Sequence, residues 1–361
     1  MEDDYGYANA RLRAMKSRLL TRSDYSELLD AQSVEDLVAR LTHTAYQPEI
    51  EAALVKYGGW ECLSEALRRH FSNSLTKITR FFGENSLRLW SILIARWQVF
   101  NIKTILRGQV HNVPASEIFD ALIPVGDLKE SDLQRLAQQT SPRATIDLLA
   151  TWHHPLAKPL LAALQRYIES NDLAELELAL DRARYASATE ELKDLDDSNA
   201  ETVMQVLSDE IDATNILTLV RLSQWAGSGA RLTQRYGSAA PAPLLLKGGG
   251  SASHRLMNYD QTPALEQIVR DLGATPFGDA LARGETRFSE KHSLSAFEDE
   301  LEAQLEEQNL ARFHLDPLSI DIAIAYLAAL SRETRNLRLI GRAKAAGWKR
   351  DEIEKELRWQ D

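Results

Sequence analysis

One pair of short motifs recurs three times along this chain and constrains its fold more than any other feature. The first motif is an asparagine on an apolar-flanked helix, found at Asn9, Asn101, Asn215 and Asn336. The second lies between successive asparagines and is a Leu-x-x-Thr turn, ending at Thr44, Thr151 and Thr275. Each threonine precedes the next asparagine by a similar distance, 57, 64 and 61 residues. This ordered alternation indicates three copies of one helical module and a closing helix.

A comparison of the repeated segments supports the triplication. The heptamers that begin at Asn101, Asn215 and Asn336 have aliphatic residues at their second and fifth positions and arginine at their seventh. Positions three apart share one helix face, so the aliphatic pair is expected to pack inward. Asparagine is a mediocre helix former, and its repeated use predicts a side-chain amide bonded to a neighbouring helix or turn. We therefore assign these asparagines, with Thr44, Thr151 and Thr275, to the internal framework of the modules. Partner contact by the asparagines is the weaker alternative.

The sequence predicts an all-α protein. Apolar residues recur at spacings of three and four between residues 7 and 20, and longer segments of the same kind follow, without strand-like alternation. Glycine and proline concentrate at 226–253, which predicts a long connection there. The predicted modules cover residues 1–108, 109–226 and 227–361, with a linker at 226–253 and closing C-terminal helices. A repeat of 92 to 121 residues is longer than a solenoid repeat, and this favours three similar domains around an axis.

Composition restricts the classes of function. The formal net charge is −11, so binding to nucleic acid would work against the long-range field, and no nucleic-acid partner is predicted. Cys62 is the only cysteine, which rules out an internal disulfide and a cysteine-based zinc cluster. The apolar stretches at 89–97 and 320–330 fall short of the roughly 20 residues that a spanning helix needs. Together with the acidic start at residues 1–4, these features predict a cytoplasmic protein, and we expect no catalytic, cofactor or metal site.

The helices that carry the asparagines are locally basic, although the whole chain is acidic. Between residues 332 and 350 there are seven basic residues and one acid, Glu333. Solvated helix faces are the simpler explanation of such runs. The alternative is that some of these side chains meet carboxylates of a partner. The candidate partner-contact residues are Arg11, Arg13, Lys16, Lys103, Arg107, Arg221, Arg338, Arg342 and Lys344.

Several segments resemble the C subunit of the archaeal and bacterial A/V-type ATPases, the counterpart of the d subunit of the eukaryotic V-ATPase. At the C-terminal end the resemblance is carried by Pro317-Leu318-Ser319-Ile320, Tyr326-Leu327, Glu333, Asn336-Leu337-Arg338, Ile340, Lys344, Gly347, Glu352-Ile353 and Leu357. The family's N-terminal pattern is matched by residues 7–15, by Leu19-Leu20, and by Leu41, Thr44 and Tyr46. Two segments depart from the expected Pro-Gly-Gly-like turn, namely Ile123-Pro124-Val125-Gly126 and Lys247-Gly248-Gly249-Gly250.

The resemblance implies a rotor part without chemistry of its own. In that family three similar helical modules form a funnel around a pseudo-threefold axis, on the cytoplasmic face of the membrane ring of proteolipid subunits. The hollow receives the end of the central shaft. Torque from ATP hydrolysis passes through this socket to the ring, which moves protons or sodium ions, and in a synthase the direction is reversed. The implied partners are the shaft subunits, the proteolipid ring and the membrane stator subunit. The implied location is peripheral, on the cytoplasmic side of the membrane.

Two other functions compete with this one. An unrelated all-helical adaptor could use its modules to bind peptides or helices. A hydrolase could use His153 or His154, but adjacent residues on a helix point in different directions, which is poor geometry for a shared metal. A surface turn before Pro155 explains the pair better. Ser74 and Lys77 lack the companion motifs of Ser-x-x-Lys acyl enzymes, and the glycines after Lys247 do not match a phosphate-binding loop.

Overall fold

A computed structural model describes residues 5–195, 197–225, 228–236 and 239–359. Within these residues the protein is helical and has no β-strand, and extended pairing is limited to one isolated bridge between Val125 and Leu128. The predicted all-α class is confirmed. The acidic start at residues 1–4 and positions 226, 227, 237 and 238 of the predicted linker lie outside the described residues. None of the described helices combines the length and the apolar character needed to cross a membrane.

The helices belong to two compact units. Unit 1 contains Met1–Leu173 and Leu310–Asp361, and unit 2 contains Ala174–Asn309. The predicted linker at 226–253 falls inside unit 2, so it does not separate the two units, and its described part includes a nine-residue helix. The division into three modules at 108 and 226 stays a prediction from the repeat.

The helices follow one another with short connections. The first segment of unit 1 contains α1 (Tyr5–Lys16), α2 (Arg22–Leu29), α3 (Val34–Leu41), α4 (Gln47–Leu54), α5 (Gly59–Thr79), α6 (Glu84–Val110), α7 (Ala115–Asp120), α8 (Glu130–Ala137), α9 (Pro142–Thr151) and α10 (Ala157–Ser170). The next helices are α11 (Ala174–Lys193), α12 (Ser198–Ser223), α13 (Ser228–Tyr236), the 3₁₀ helix Ala242–Leu244, α14 (Ser251–Leu256), α15 (Leu265–Leu272), α16 (Gly278–Lys291) and α17 (Ser295–Ala311). The chain closes with the 3₁₀ helix Arg312–His314, α18 (Asp321–Ala345) and α19 (Arg350–Glu356).

Local signals explain where several helices begin and end. The first amphipathic pattern predicts a helix over residues 7–20, but α1 ends at Lys16, and α2 starts soon afterwards with Thr21 as its cap. The Thr21 hydroxyl accepts from the amide of Asp24, whose carboxylate in turn accepts from the amide of Thr21. Such a reciprocal capping box satisfies two amides that a helix start leaves unpaired. Ser33 caps α3 in the predicted way, because its hydroxyl accepts from the amide of Asp36 at 3.2 Å.

The core of unit 1 joins the two ends of the chain. Leu37, Leu41 and Leu63 from the N-terminal helices pack in one buried cluster with Leu337 and Ile340 of α18. Helices α5 and α18 approach each other closely at Gly341, where an added Cβ would collide with the Leu63 side chain. The small residue is therefore needed for helix packing at this point. Helix α18 is therefore an internal part of unit 1.

Unit 2 is built around α12. Ile216, Leu219 and Val220 of this helix are buried in a cluster with residues of α14, α15 and α16. On α11, the guanidinium of Arg184 lies 2.7 Å from the carboxylate of Glu210 on α12, and the two side chains are 8% and 15% exposed. Burial acts to lower the pKa of Arg184, but the charge of Glu210 outweighs this and raises it. The pair therefore remains charged inside unit 2.

Candidate functional site

The repeated asparagines make the same contact in three places. The amide of Asn101 donates to the carbonyl of Ile123 at 2.6 Å and accepts from the amide of the same residue at 2.8 Å. Asn215 holds Leu246 by the same two bonds, at 2.9 and 2.7 Å. Asn336 holds Arg358, at 2.7 and 3.2 Å. We call each arrangement an amide bracket. All three asparagines are buried. Each bracket ties a non-helical segment to the middle of a long helix, α6, α12 or α18.

Asn9 makes a different contact. Its amide nitrogen donates to two carbonyl oxygens, those of Pro317 at 2.8 Å and Ser319 at 2.9 Å. These acceptors belong to the turn that precedes α18, more than 300 residues away in sequence. Asn9 therefore fastens the first helix to the segment that leads into the last one, whereas the three brackets each hold a turn within 31 residues.

In two of the three bracketed helices an acidic residue lies three positions before the asparagine and makes further hydrogen bonds. The carboxylate of Asp212 accepts from the amides of Ala252 and Ser253, at 3.2 and 3.0 Å, where α14 begins. The carboxylate of Glu333 accepts from the amide of Leu20 at 2.5 Å and from the hydroxyl of Tyr46 at 2.8 Å. Residues three apart share a helix face, which explains why acid and amide reach toward the same side. The acid adds a second tie to each helix.

Two of the three predicted threonines make the expected turn. The hydroxyl of Thr44 donates to the carbonyl of Leu41 at 2.7 Å, and that of Thr275 donates to Leu272 at 2.6 Å. The next helix starts three residues after each threonine. Thr44 also accepts from the amide of Tyr46, at 3.2 Å, which fixes the approach to α4. These threonines shape the turns that join α3 to α4 and α15 to α16.

Thr151 does not occupy the equivalent place. It lies at the end of α9, exposed, and its hydroxyl donates to Asp147 within that helix. The turn before α10 is made by His154, whose Nδ1 accepts from the amide of Leu156 at 3.2 Å, as Thr44 accepts from Tyr46. Leu148 and Thr151 fit the Leu-x-x-Thr pattern by residue type, but the residue that makes the turn is His154, three positions later. Burial lowers the pKa of His154, which suits an acceptor nitrogen.

The basic candidate residues differ widely in their surroundings. Arg11 lies over the rings of Tyr7 and Phe81, and the Lys16 ammonium lies 3.8 Å from the centre of the Phe313 ring. Arg221 forms an exposed ion pair with Glu298 at 3.0 Å. Lys344 donates to the carbonyl of Leu29 at 2.6 Å, which is an internal contact of unit 1. Arg13 and Arg107 are exposed and Lys103 is half-buried. Two of the nine candidates, Arg338 and Arg342, line the same cleft.

Arg338 and Arg342 line a cleft of about 360 Å³ in unit 1. One wall consists of the buried side chains of Phe71 from α5, Trp97 from α6 and Ile123 from the bracketed turn. The opposite wall is the face of α18 that contains Ser331, Thr334, Arg335, Arg338, Leu339 and Arg342. Arg342 is also held over the ring of Trp60, with its guanidinium carbon 5.4 Å from the ring centre. We call this site the arginine cleft.

The charged residues that line the arginine cleft are all arginines. None of the described residues that line it is Asp or Glu. The pKa of Arg338 is lowered, first by burial and then by the positive charge of Arg342. Arg338 is half-buried and Arg342 is exposed, so water screens much of the repulsion between the two cations. The sequence predicted Arg338 and Arg342 as candidate contact residues. It gave no sign of the apolar wall, which Phe71, Trp97 and Ile123 supply from three other parts of the chain.

Comparison with known families gives a match along nearly the whole chain. The model of the family described as ATP synthase (C/AC39) subunit matches residues 8–356. The chain belongs to this family. The resemblance to the C subunit of the A/V-type ATPases, predicted from short segments, is confirmed.

Curated members of this ATP synthase family align with the chain over most of their length. The C subunit of the A-type ATP synthase of Methanosarcina acetivorans is 27% identical, over 95% of this chain and 89% of the relative. That of Halorubrum lacusprofundi is 29% identical, over 97% and 96%. The C subunit of the V-type ATP synthase of Deinococcus radiodurans is 29% identical, over 99% and 92%.

The two segments in which the resemblance led us to expect a Pro-Gly-Gly-like turn are held by two of the three brackets. Asn101 brackets Ile123, the first residue of one turn, and Asn215 brackets Leu246, directly before the other. In the second turn, an added Cβ at Gly249 would lie 2.5 Å from the Asp212 carboxylate. The close approach of α12 therefore requires glycine at this position.

Glu333 makes the stability of this ATP synthase family member depend on pH. Burial raises the pKa of its carboxyl, and the hydrogen bonds from Leu20 and Tyr46 offset this only in part. The folded state therefore holds the proton more tightly than the unfolded state, in which the pKa is about 4.3. Stability contributed by this group is fully present below that value and is lost as pH rises through the folded-state pKa. We expect Glu333→Gln to gain stability relative to the unmodified chain as pH rises from about 4.5 to about 8.

Denaturant unfolding of Glu333→Gln and of the unmodified chain at several pH values measures the difference in their free energies of unfolding. The exposed Glu61, replaced by glutamine, serves as the matched control and corrects for the general titration of surface carboxyls. A difference between Glu333→Gln and the unmodified chain that stays constant across the pH range would contradict the assignment.

Proposed function

We propose that this protein is a non-catalytic central-stalk subunit of an A/V-type rotary ATPase or ATP synthase. It acts as a socket on the cytoplasmic side of the membrane, between the central shaft and the proteolipid ring, and transmits torque for proton or sodium translocation. Its partners are the shaft subunits and the ring, and the membrane stator subunit is a further neighbour. The observation that carries the proposal is the family match over residues 8–356.

The geometry of the described residues supports a mechanical role. A part that transmits torque has to resist shear between its helices. Here the long helices α6, α12 and α18 are each tied at a buried asparagine to a turn, with two hydrogen bonds on one backbone residue. Paired bonds fix both position and orientation, whereas apolar packing alone is non-directional. The brackets therefore stiffen each unit.

The two histidines give no support to a hydrolase. His153 has a left-handed backbone, with φ of 53°, and lies just after the end of α9. His154 uses Nδ1 to hold the next turn. Both are accounted for by the structure of the turn.

Cross-linking in the assembled complex tests the proposed function. Single cysteines at Arg13, Arg107, Arg221 and Arg342 are to be coupled to a bifunctional thiol reagent after assembly with shaft and ring subunits. We expect adducts to shaft or ring from at least one exposed position, and no ATP turnover by the isolated chain. The unmodified chain is the control, because Cys62 is buried and burial raises the pKa of its thiol. Failure of the chain to assemble with either partner would refute the proposal.

A further inference from the structure

The acidic residue of a bracketed helix shows which segments of the two units correspond. In unit 2, the bracketed Leu246 is followed seven positions later by Ser253, whose amide donates to the acid of α12. In unit 1, the bracketed residue is Arg358, and the amide that donates to the acid of α18, Glu333, is that of Leu20. Leu20 is 338 positions away from Arg358. Two parts that are continuous in unit 2 therefore come from distant segments of the chain in unit 1.

The helices that follow support this correspondence. In both units the turn threonine lies three residues before the last of three short helices, Thr44 before α4 and Thr275 before α16. The next long helix begins at or just after a residue with a left-handed backbone, Gly59 for α5 and His292 for α17, both with φ of 51°. Helices α2 to α5 of unit 1 thus correspond to α14 to α17 of unit 2. They complete the module whose bracketed helix is α18.

We call the contact between residues 5–79 and residues 312–359 the seam. Helix α18 packs across it against α1, α3 and α5. Polar groups also cross it, since Lys344 donates to the carbonyl of Leu29 at 2.6 Å and Arg350 donates to the hydroxyl of Ser26 at 2.9 Å. These bonds join residues 315 and 324 positions apart. The equivalent joint of unit 2 is closed within 41 residues, and this shorter connection limits how far its two sides can separate.

Two clefts border α18. The arginine cleft, of about 360 Å³, has Phe71 and Trp97 on the wall that faces this helix. A second cleft, of about 400 Å³, lies at the seam and is lined by Met15 and Leu19 on the N-terminal side and by Tyr326 of α18. Atoms that face a cleft have no partner atoms there and lose the dispersion contacts of a packed interface. Helix α18 is therefore held by its buried apolar face and by the polar contacts of the seam.

We propose that the seam is an opening device, at which residues 312–359 separate from residues 5–79 as one body while the rest of the protein keeps its fold. The bracket of Asn336 on Arg358 is kept in the open state, because both residues lie in the moving segment. The bonds of Glu333, Lys344 and Arg350 to the N-terminal helices are broken together. The device does not depend on the function proposed above, since all of these contacts lie within unit 1.

Native-state hydrogen exchange of the full chain tests for this opening. The amide of Leu20 crosses the seam to Glu333, whereas the amide of Ile123 is held in the bracket of α6, outside the seam. We expect Leu20 to exchange about 10-fold faster than Ile123 or more, after correction for intrinsic rates, because opening exposes it without unfolding unit 1. The amide of Ser253, which donates to a carboxylate in unit 2, is the matched control and should be protected more strongly than Leu20. Equal protection of Leu20 and Ile123 would overturn the inference.

Closing the seam covalently provides a second test. Asp30 and Arg350 form an ion pair across it, and their side chains are 54% and 39% exposed. Cysteines introduced by Asp30→Cys with Arg350→Cys can therefore be joined by a short bifunctional thiol reagent. We expect the cross-link to slow the exchange of Leu20 about 10-fold or more relative to the uncoupled double variant, without a change at Ile123. The native Cys62 does not compete for the reagent, because it is buried.

An ion pair of unit 2 supplies the matched control for the cross-link. Arg283 lies 2.7 Å from the carboxylate of Glu300, and the pair joins α16 to α17. The same reagent applied to Arg283→Cys with Glu300→Cys should leave the exchange of Leu20 unchanged. If the cross-link at the seam does not slow Leu20, or if both cross-links slow it equally, Leu20 is not exposed by separation at the seam and the inference is wrong.

Discussion

Asn215→Ala should lower the free energy of unfolding by about 2 to 5 kcal/mol, because it leaves several buried polar groups without partners. The amide of Asn215 bonds to both backbone groups of Leu246 and to the hydroxyl of Ser253, at distances of 2.7 to 2.9 Å. A methyl group replaces none of these bonds. Denaturant unfolding of the full chain measures the loss, and hydrogen exchange at the amide of Leu246 localises it to the bracket.

Asn258→Ala is the matched control for this prediction. Asn258 is exposed and its side-chain amide donates to the carbonyl of His254 at 2.9 Å. Water can replace that bond, so the change should be within about 0.5 kcal/mol. Equal effects of the two substitutions would show that the bracket adds nothing beyond an ordinary surface contact.

Arg184→Met should destabilise unit 2 by about 3 to 5 kcal/mol, because it removes the guanidinium that neutralises the largely buried carboxylate of Glu210. The hydroxyl of Tyr185 also reaches this carboxylate, at a long 3.4 Å, and is a weak substitute for the guanidinium. Replacing both members of the pair, in Arg184→Met with Glu210→Gln, should recover much of the loss. A double-mutant cycle in denaturant unfolding measures the coupling between the two residues.

An exposed ion pair of α11 provides the comparison. Lys193 lies 3.2 Å from Glu190, and the side chains are 63% and 76% exposed. Lys193→Met should change the free energy of unfolding by at most about 0.5 kcal/mol. The assignment of Arg184 would be wrong if the double variant were no more stable than Arg184→Met alone.

The sequence was informative where a residue type is unusual for its position. Asparagine disfavours helices, so its recurrence within three apolar helices indicated a bonded amide before any partner was known. The partners themselves could not be predicted. Ile123, Leu246 and Arg358 have no shared chemistry, because the bracket uses only their backbone groups.

The sequence misled where a pattern depends on common residues. Leucine and threonine occur together by chance in a helical chain, and Thr151 matched the turn motif although His154 makes the turn. A histidine nitrogen and a threonine hydroxyl can both accept a hydrogen bond from a backbone amide at this point of a turn. A motif written as residue types does not show that the two are interchangeable. The arginine cleft was half predicted for a related reason. The basic run on α18 is visible in the sequence, whereas Phe71, Trp97 and Ile123 meet it only through tertiary packing.

The contacts of Asn9 and Glu333 mean that unit 1 cannot be completed before unit 2 has been synthesised. Asn9 reaches Pro317 and Ser319, and Glu333 reaches Leu20, across 308 to 313 residues. Unit 2 is one uninterrupted stretch between the two parts of unit 1. During synthesis on the ribosome its residues emerge before α18, so the inserted unit can reach its native state while its host is still unfinished. Unit 1 has to wait for the end of translation, and a chain released early would expose the face of its core that α18 covers.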